Sequence, residues 1–230
     1  MTAVSVSRAP RQLALSLDHA ESFAREDFLS GPSNAAALAL VESWPDWPDR
    51  AVVLVGPAGS GKSHLAAIWA AEAGARSVAA HALEQPAVPM ALATGAVVIE
   101  DAAPGALDER ALFHLLNLVR EERAFLLLTA RTPPAGWNLD IRDLSSRLKV
   151  LPVASLAAPD DGLLRAVLVK LFADRQLAVD EALVGYVATR IERSFAAARD
   201  IVAHLDQEAM RQQRPLTRVL AAEVLRADQP

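Results

Sequence analysis

The sequence predicts an α/β fold: a parallel five-stranded sheet with helices on both faces, followed by a small all-helical lid domain. Three observations carry this. A phosphate-binding loop pattern, Gly56, Pro57, Ala58, Gly59, Ser60, Gly61, Lys62 and Ser63, lies between an apolar run at 51–55 and a helical pattern. Four more strand-like runs, at 76–81, 96–101, 125–129 and 150–153, alternate with helical patterns; such alternation gives parallel strands buried on both faces. After a change of composition at 154–161, only helical patterns follow, at 162–174, 180–192, 195–212 and 217–227. The expected organisation is a flexible N-terminal tail with a linear motif (1–19), a nucleotide-binding α/β domain (20–154) and a helical lid (155–230).

Each element has a local reason. In residues 12–17, Leu13, Leu15 and Leu17 alternate, so an extended backbone puts all three on one side. An edge strand and a motif that docks in another protein's apolar pocket are both open readings. Ser33 is a natural N-cap for a helix over 34–43. The turn before it would set Phe28 or Leu29 against a base, and Phe28 serves equally as a core anchor. The stiff loop holding Trp44 and Trp47 either caps the sheet or meets a partner.

In the phosphate loop, Gly59 and Gly61 allow the backbone to curl with its N–H groups facing a phosphate. The following helix, with Leu65, Ile68 and Trp69 on one face and Gly74 as its stop, adds a partly positive N-terminus. Lys62 would reach the outer phosphates and Ser63 would offer its hydroxyl to Mg2+. The run at 96–101 ends in Glu100 and Asp101, acidic groups at the carboxyl end of an apolar strand. One would hold Mg2+ through water, and the other would orient or deprotonate an attacking water. A helix over 107–122 carries Leu112, Leu115, Leu116 and Val119 on one face. The run at 125–129 ends in Thr129, placed to sense a terminal phosphate, and Arg147 precedes the last strand. In the lid, Asp180 and Ser194 cap the second and third helices. Arg199, one turn into the third, is either a solvated charge or a residue reaching back to the nucleotide.

Composition narrows the class. With 52 % apolar and 22 % charged residues in 230, the chain can bury one good core or two modest ones and is not disordered. The absence of Cys excludes disulfides and Cys-ligated zinc and fits a reducing compartment. No apolar stretch is long enough to cross a bilayer and the start shows no export signal, so a cytoplasmic location away from membranes is expected. A net charge of −5 speaks against a large non-specific nucleic-acid surface. The five His residues are scattered without ligand spacing.

Assembled, these residues resemble the AAA+ family and, within it, the DnaA lineage. Gly61, Lys62, Ser63, His64 and Leu65 resemble the DnaA phosphate loop, which brings His64 into the nucleotide-binding set. Asp27-Phe28 and Gly31-x-Ser33-Asn34 resemble the adenine-side turn, and Leu144-Ser-Ser-Arg147-Leu resembles box VII, which carries the arginine finger. Arg199-Asp-Ile resembles the second sensor arginine. Gln12, Leu13, Leu15 and Leu17 match the hexapeptide by which bacterial replication proteins bind the sliding clamp, with Ser16 where Pro is common. The sequence ends after the lid pattern, leaving no room for the helix-turn-helix domain of DnaA. Together these features resemble the DnaA-related regulatory inactivators.

The resemblance implies ADP or ATP as ligand, with Mg2+ held through Ser63 and Glu100, and catalytic roles for Arg147, Asp101 and Glu100. It implies the DNA polymerase III sliding clamp (β subunit) and DnaA as partners, with self-association open and little or no sequence-specific DNA binding. Glu100 stands where DnaA has the first of two Asp residues, and Arg131 where these relatives carry an Asp. Both departures bear on hydrolysis by the chain itself, so whether it is an ATPase stays open. A helicase-loader-type ATPase on single-stranded DNA, a small-molecule kinase with a helical lid and an ATP-dependent scaffold are the rival readings.

Overall fold

The computed structural model describes residues 23–227; the alternating motif at Gln12, Leu13, Leu15 and Leu17 lies outside the described residues. Five parallel strands form one sheet in the order β2-β3-β4-β1-β5: β1 (Ala51–Val55), β2 (Arg76–Ala79), β3 (Ala96–Ala102), β4 (Phe125–Ala130) and β5 (Val153–Ser155). All of β1 is buried, and its period of two divides it between the faces. Val53 and Val55 join a core with α3 (Val88–Ala91), α4 (Glu109–Glu121) and α5 (Arg142–Val150), while Val52 and Leu54 join one with α1 (Ala35–Glu42) and α2 (Lys62–Ala73). This two-sided burial is why β1, β3 and β4 read as continuous apolar runs.

Four more helices, α6 (Asp161–Asp174), α7 (Glu181–Ala188), α8 (Phe195–Gln212) and α9 (Arg218–Ala227), share an apolar cluster of their own around Leu168, Phe172, Val202 and Leu205. Side-chain caps start three of them: Asp160, Asp180 and Ser194 each accept a hydrogen bond from a backbone N–H two or three residues into the helix. Asp108 caps α4 in the same way. No helix among the described residues is long and apolar enough to cross a membrane.

Three local expectations need correcting. Residues 150–153 are not the last strand: Val150 closes α5 and is 71 % exposed, and pairing with β1 begins at Val153. The apolar run spans a helix end and a strand start, which periodicity alone does not separate. Ser33 does not cap α1; Asn34 is the N-cap, and the Ser33 hydroxyl is buried without a hydrogen bond. The strand at 76–81 stops at Ala79 and passes into a 3-10 turn over Ala80–Ala82. The two tryptophans cap the sheet: Trp47 stacks on Trp69 at 4.9 Å and donates Nε1–H to the Leu40 carbonyl at 2.8 Å, and Trp44 meets the edge of Phe125 at 5.7 Å.

Leu54, the fourth residue of β1, is fully buried two residues before the phosphate loop. Leu54→Ala is expected to lower unfolding stability by about 2–5 kcal/mol, the usual cost of a Leu-sized core cavity, read by urea titration.

Candidate functional site

The phosphate loop leaves β1 at Gly56 and enters α2 at Lys62. Gly56 is required by close approach: a Cβ there would stand 2.4 Å from the Leu156 carbonyl oxygen. Gly59 and Gly61 both have left-handed backbones, with φ of 69° and 96°, as the curl predicted. Gly61 caps α2 with no side-chain hydrogen bond, so the first N–H groups of the helix stay available to an anion. Pro57 and Ala58 are exposed, while the Ser60 hydroxyl is buried with no hydrogen-bond partner. Lys62 is buried, and its Nζ donates to the carbonyls of Gly56 (2.9 Å) and Pro57 (2.8 Å). Burial lowers its pKa; Asp101 opposes that shift and Arg131 adds to it.

The acidic strand end is bulged. The β3–β4 register shifts between Ile99 and Ala102, and Asp101 has a left-handed backbone, φ 55°, that Asp tolerates better than most residues. Asp101 N–H donates to Thr129 Oγ1 at 3.0 Å, which ties the bulge to β4. Thr129 is therefore buried and engaged by Asp101, while Glu100 is half-buried and Asp101 exposed. Beyond Thr129, the Ala130 carbonyl accepts from Gly56 N–H at 3.1 Å. The strand tips and the loop thus meet through β4.

On the other side of the loop a cleft of about 520 Å³ opens between the sheet and the lid, lined by Phe28, Leu29, Gly59, Gly61, Lys62, Ser63 and His64 from the sheet side. Lys170, Phe195 and Arg199 line it from the lid. Phe28 is a core residue, 6 % exposed, and it also lines the cleft. His64 sits edge-on to Phe23 (5.4 Å) and Phe28 (5.3 Å), with Nε2 3.2 Å from the Ala24 carbonyl. Glu100, Asp101 and Thr129 are not in the cleft lining; they lie at the carboxyl ends of β3 and β4.

Arg147 lies elsewhere. On α5 it donates from Nη1 to Asn117 Oδ1 of α4 at 2.6 Å, pairs with Asp143 at 3.2 Å and covers the Phe113 ring at 5.0 Å. Its side chain is 37 % exposed, and it does not line the cleft.

Asn34, read from the sequence only as part of a turn motif, clamps that turn, accepting from Gly31 N–H at 2.8 Å and donating Nδ2–H to the Leu29 carbonyl at 3.0 Å. Two participants, Phe195 and Lys170, escaped the sequence reading. Phe195 donates its N–H to the Gly59 carbonyl at 2.8 Å, and its ring would touch a Cβ at Gly61. Its place directly after the Ser194 cap was the available signal. Lys170 bridges Asp27 and Asp174, both at 2.7 Å; the i,i+4 pair is readable from sequence, but the link to Asp27 is not.

A nucleotide fits these residues. The left-handed glycines, the uncapped start of α2 and the Lys62 ammonium suit a polyphosphate, and the aromatic end of the cleft suits a base. Among the described residues no cluster of three or more His, Cys, Asp or Glu could hold a metal. A Mg2+ between Ser63 and Glu100 would therefore take most of its ligands from phosphate and water, as this ion commonly does.

No family model and no curated protein matches the chain. Solved structures do. Domain III of the Thermotoga maritima replication initiation protein DnaA superposes with a TM-score of 0.74 at 18 % identity, over 90 % of this chain and 98 % of that one. AMPPCP-bound DnaA from Aquifex aeolicus gives 0.65 at 16 % identity, over 79 % of this chain and 64 % of that one. The Thermotoga maritima RuvB Holliday junction branch migration motor gives 0.64 at 18 %, over 76 % and 61 %. The chain shares the α/β fold of these proteins, with its five-stranded parallel sheet covered by helices.

Burial lowers the pKa of His64 first, with Arg199 and Lys170 adding to the shift and the Ala24 carbonyl and Asp27 opposing it. The folded state then binds this proton less readily than the unfolded chain, so stability should fall as pH drops below the unfolded value of 6.5. His64→Gln is expected to flatten that acid-side loss, read as the change in Tm between about pH 7.5 and pH 5.5.

Proposed function

We propose that this chain is an adenine-nucleotide-binding AAA+ regulator of replication initiation, of the Hda/HdaA kind. In this reading it holds ADP or ATP in the cleft between Phe28, the phosphate loop and Arg199. It docks on the DNA polymerase III sliding clamp through Gln12, Leu13, Leu15 and Leu17, and promotes hydrolysis of ATP bound to DnaA. The observation that carries the proposal is the placement of Arg147: a half-exposed guanidinium held on α5, outside the chain's own cleft. A cation so placed suits a triphosphate on a neighbouring subunit. Such a finger neutralises charge developing on the transferred phosphoryl group, and arginines of this kind contribute about 10³–10⁵ in rate.

The chain's own residues prepare this role. Asn117 and Asp143 hold the guanidinium, and Phe113 supports its face, so less side-chain entropy is lost on docking. Tethering to a clamp raises the effective concentration of a weak interface. In the chain's own site, Ser63 and Glu100 would hold a Mg2+, whose chemistry is to neutralise phosphate charge, and Asp101 would orient water. The similarity of the fold to DnaA domain III supports a DnaA-related partner.

The deciding assay is hydrolysis of DnaA-bound ATP with and without this protein, and with and without DNA-loaded clamp. Stimulation that needs both is expected. DNA-stimulated ATPase activity of the chain alone would favour the helicase-loader reading instead. Arg147→Ala is expected to keep nucleotide and clamp binding but abolish stimulation; retained stimulation would overturn the finger assignment. Replacing Leu15 and Leu17 with Ala should abolish clamp capture, and unchanged capture would return that stretch to the edge-strand reading.

A further inference from the structure

One ion pair ties the lid to the sheet side across the aromatic end of the cleft. Lys170 Nζ, on α6, donates to Asp27 Oδ1 at 2.7 Å, and Asp27, Lys170 and Asp174 all line the cleft. Each partner stands on a fixed frame. Asp27 ends a 3-10 turn directly before Phe28, which is buried in the sheet-side core with Leu38 and Leu65. Lys170 lies between Leu168 and Phe172, both fully buried in the lid cluster. The pair is partly buried, and both of its charges act on His64 in the first turn of α2, Asp27 raising the pKa of that ring and Lys170 lowering it. Burial lowers the pKa of the Lys170 ammonium, but Asp174 and Asp27 outweigh it, so the net shift is upward and the pair is charged at neutral pH.

The position of Lys170 along α6 gives the pair leverage. Near its start α6 meets the sheet side where Leu163 packs against Gly31, and just before the helix Ala157 N–H donates to the Ser33 carbonyl at 2.9 Å. Lys170 is seven residues beyond Leu163, about 10 Å further along the helix axis. A bond at the far end of a rod restrains rotation about the near end more than a bond close to the pivot. Asp174 lowers the cost of release. It holds the same ammonium at 2.7 Å from the same helix, so Lys170 can leave Asp27 without losing its last carboxylate. A cation stripped of every partner would resist opening far more strongly.

We propose that the Asp27–Lys170 pair is a latch between sheet and lid that sets how fast a nucleotide enters and leaves the cleft. Lys170 is then a positioning residue and not a ligand of the nucleotide. This deepens the reading of the cleft as a nucleotide site and rests on it; it is independent of Arg147 and of the clamp. Both partners are groups of the chain itself, so weakening their bond favours opening for entry and exit alike. The signature is a rise in both rate constants with little change in their ratio.

Stopped-flow fluorescence of the full chain with Mg2+ and N-methylanthraniloyl-ADP reads both rates. Lys170→Met is expected to raise association and dissociation each about five-fold, a scale between an exposed ion pair and a charge-assisted hydrogen bond, and to change Kd by less than about two-fold. Asp27→Asn, the smaller change, should give the same acceleration, and the double variant should be no faster than the faster single one. Lys170→Arg, which keeps the charge, should stay closer to wild type than Lys170→Met. Unchanged rates in Lys170→Met and Asp27→Asn, with wild-type binding intact, would overturn the latch alone. Faster dissociation with an equal loss of affinity would also overturn it, because Lys170 would then be touching the nucleotide. Wild-type protein that does not bind the probe would overturn the nucleotide reading itself, and the latch with it.

Discussion

The site depends on two hydrogen bonds made by the end of β4. The Ala130 carbonyl accepts from Gly56 N–H, and Thr129 Oγ1 accepts from Asp101 N–H. One fixes where the phosphate loop begins, and the other fixes the bulge that turns the acidic strand end outward. Since β4 lies between β1 and β3, it sets the distance between Lys62 and the carboxylates. A loop without β4 beside it would still curl at its glycines, but it would have no defined relation to Glu100 or Asp101. Every chemical role assigned to the strand tips therefore rests on a residue, Thr129, that contributes by holding its neighbour.

The lid is joined to this frame at points spread along the cleft. Phe195 N–H reaches the Gly59 carbonyl at the phosphate end. Lys170 reaches Asp27 at the base end, with side-chain exposures of 25 % and 23 % for the pair. Between them Gly31 approaches Leu163 so closely that a Cβ would stand 3.1 Å from its side chain. These contacts differ in kind. The backbone hydrogen bond is directional, the ion pair is partly screened, and the glycine contact is steric. Together they make the cleft a property of two cores in contact, so its shape depends on how the lid cluster meets the sheet.

Charge is divided between the two ends of the sheet's carboxyl edge and the helical face beyond it. The loop and strand tips carry Lys62 and Arg131 opposite Glu100 and Asp101, while Arg147 is held apart on α5. Arg147 does not line the cleft, so the proposed nucleotide of this chain and the proposed triphosphate of a partner would engage different residues.

The sequence alone determined the periodic and punctuated parts of this protein. Apolar runs named β1, β3 and β4 closely, because strands buried on both faces have no polar side to confuse the pattern, while the half-exposed edge strand β2 was read two residues too long. The phosphate loop was legible because its glycines need left-handed backbone and its Lys and Ser follow at a fixed offset, and Asp180 and Ser194 were legible because a cap acts on the next turn. The tertiary structure alone decided what joins segments distant in the chain: the Thr129–Asp101 bond, the Phe195–Gly59 contact and the Asp27–Lys170 pair. It also moved the last strand from Val150 to Val153 and the α1 cap from Ser33 to Asn34. In those places several residues met the local rule equally well, and only pairing with β1 or the clamp on Gly31 and Leu29 selected among them. Local chemistry is written in neighbouring residues; which exposed charge faces which loop follows from strand order, and strand order is settled by packing.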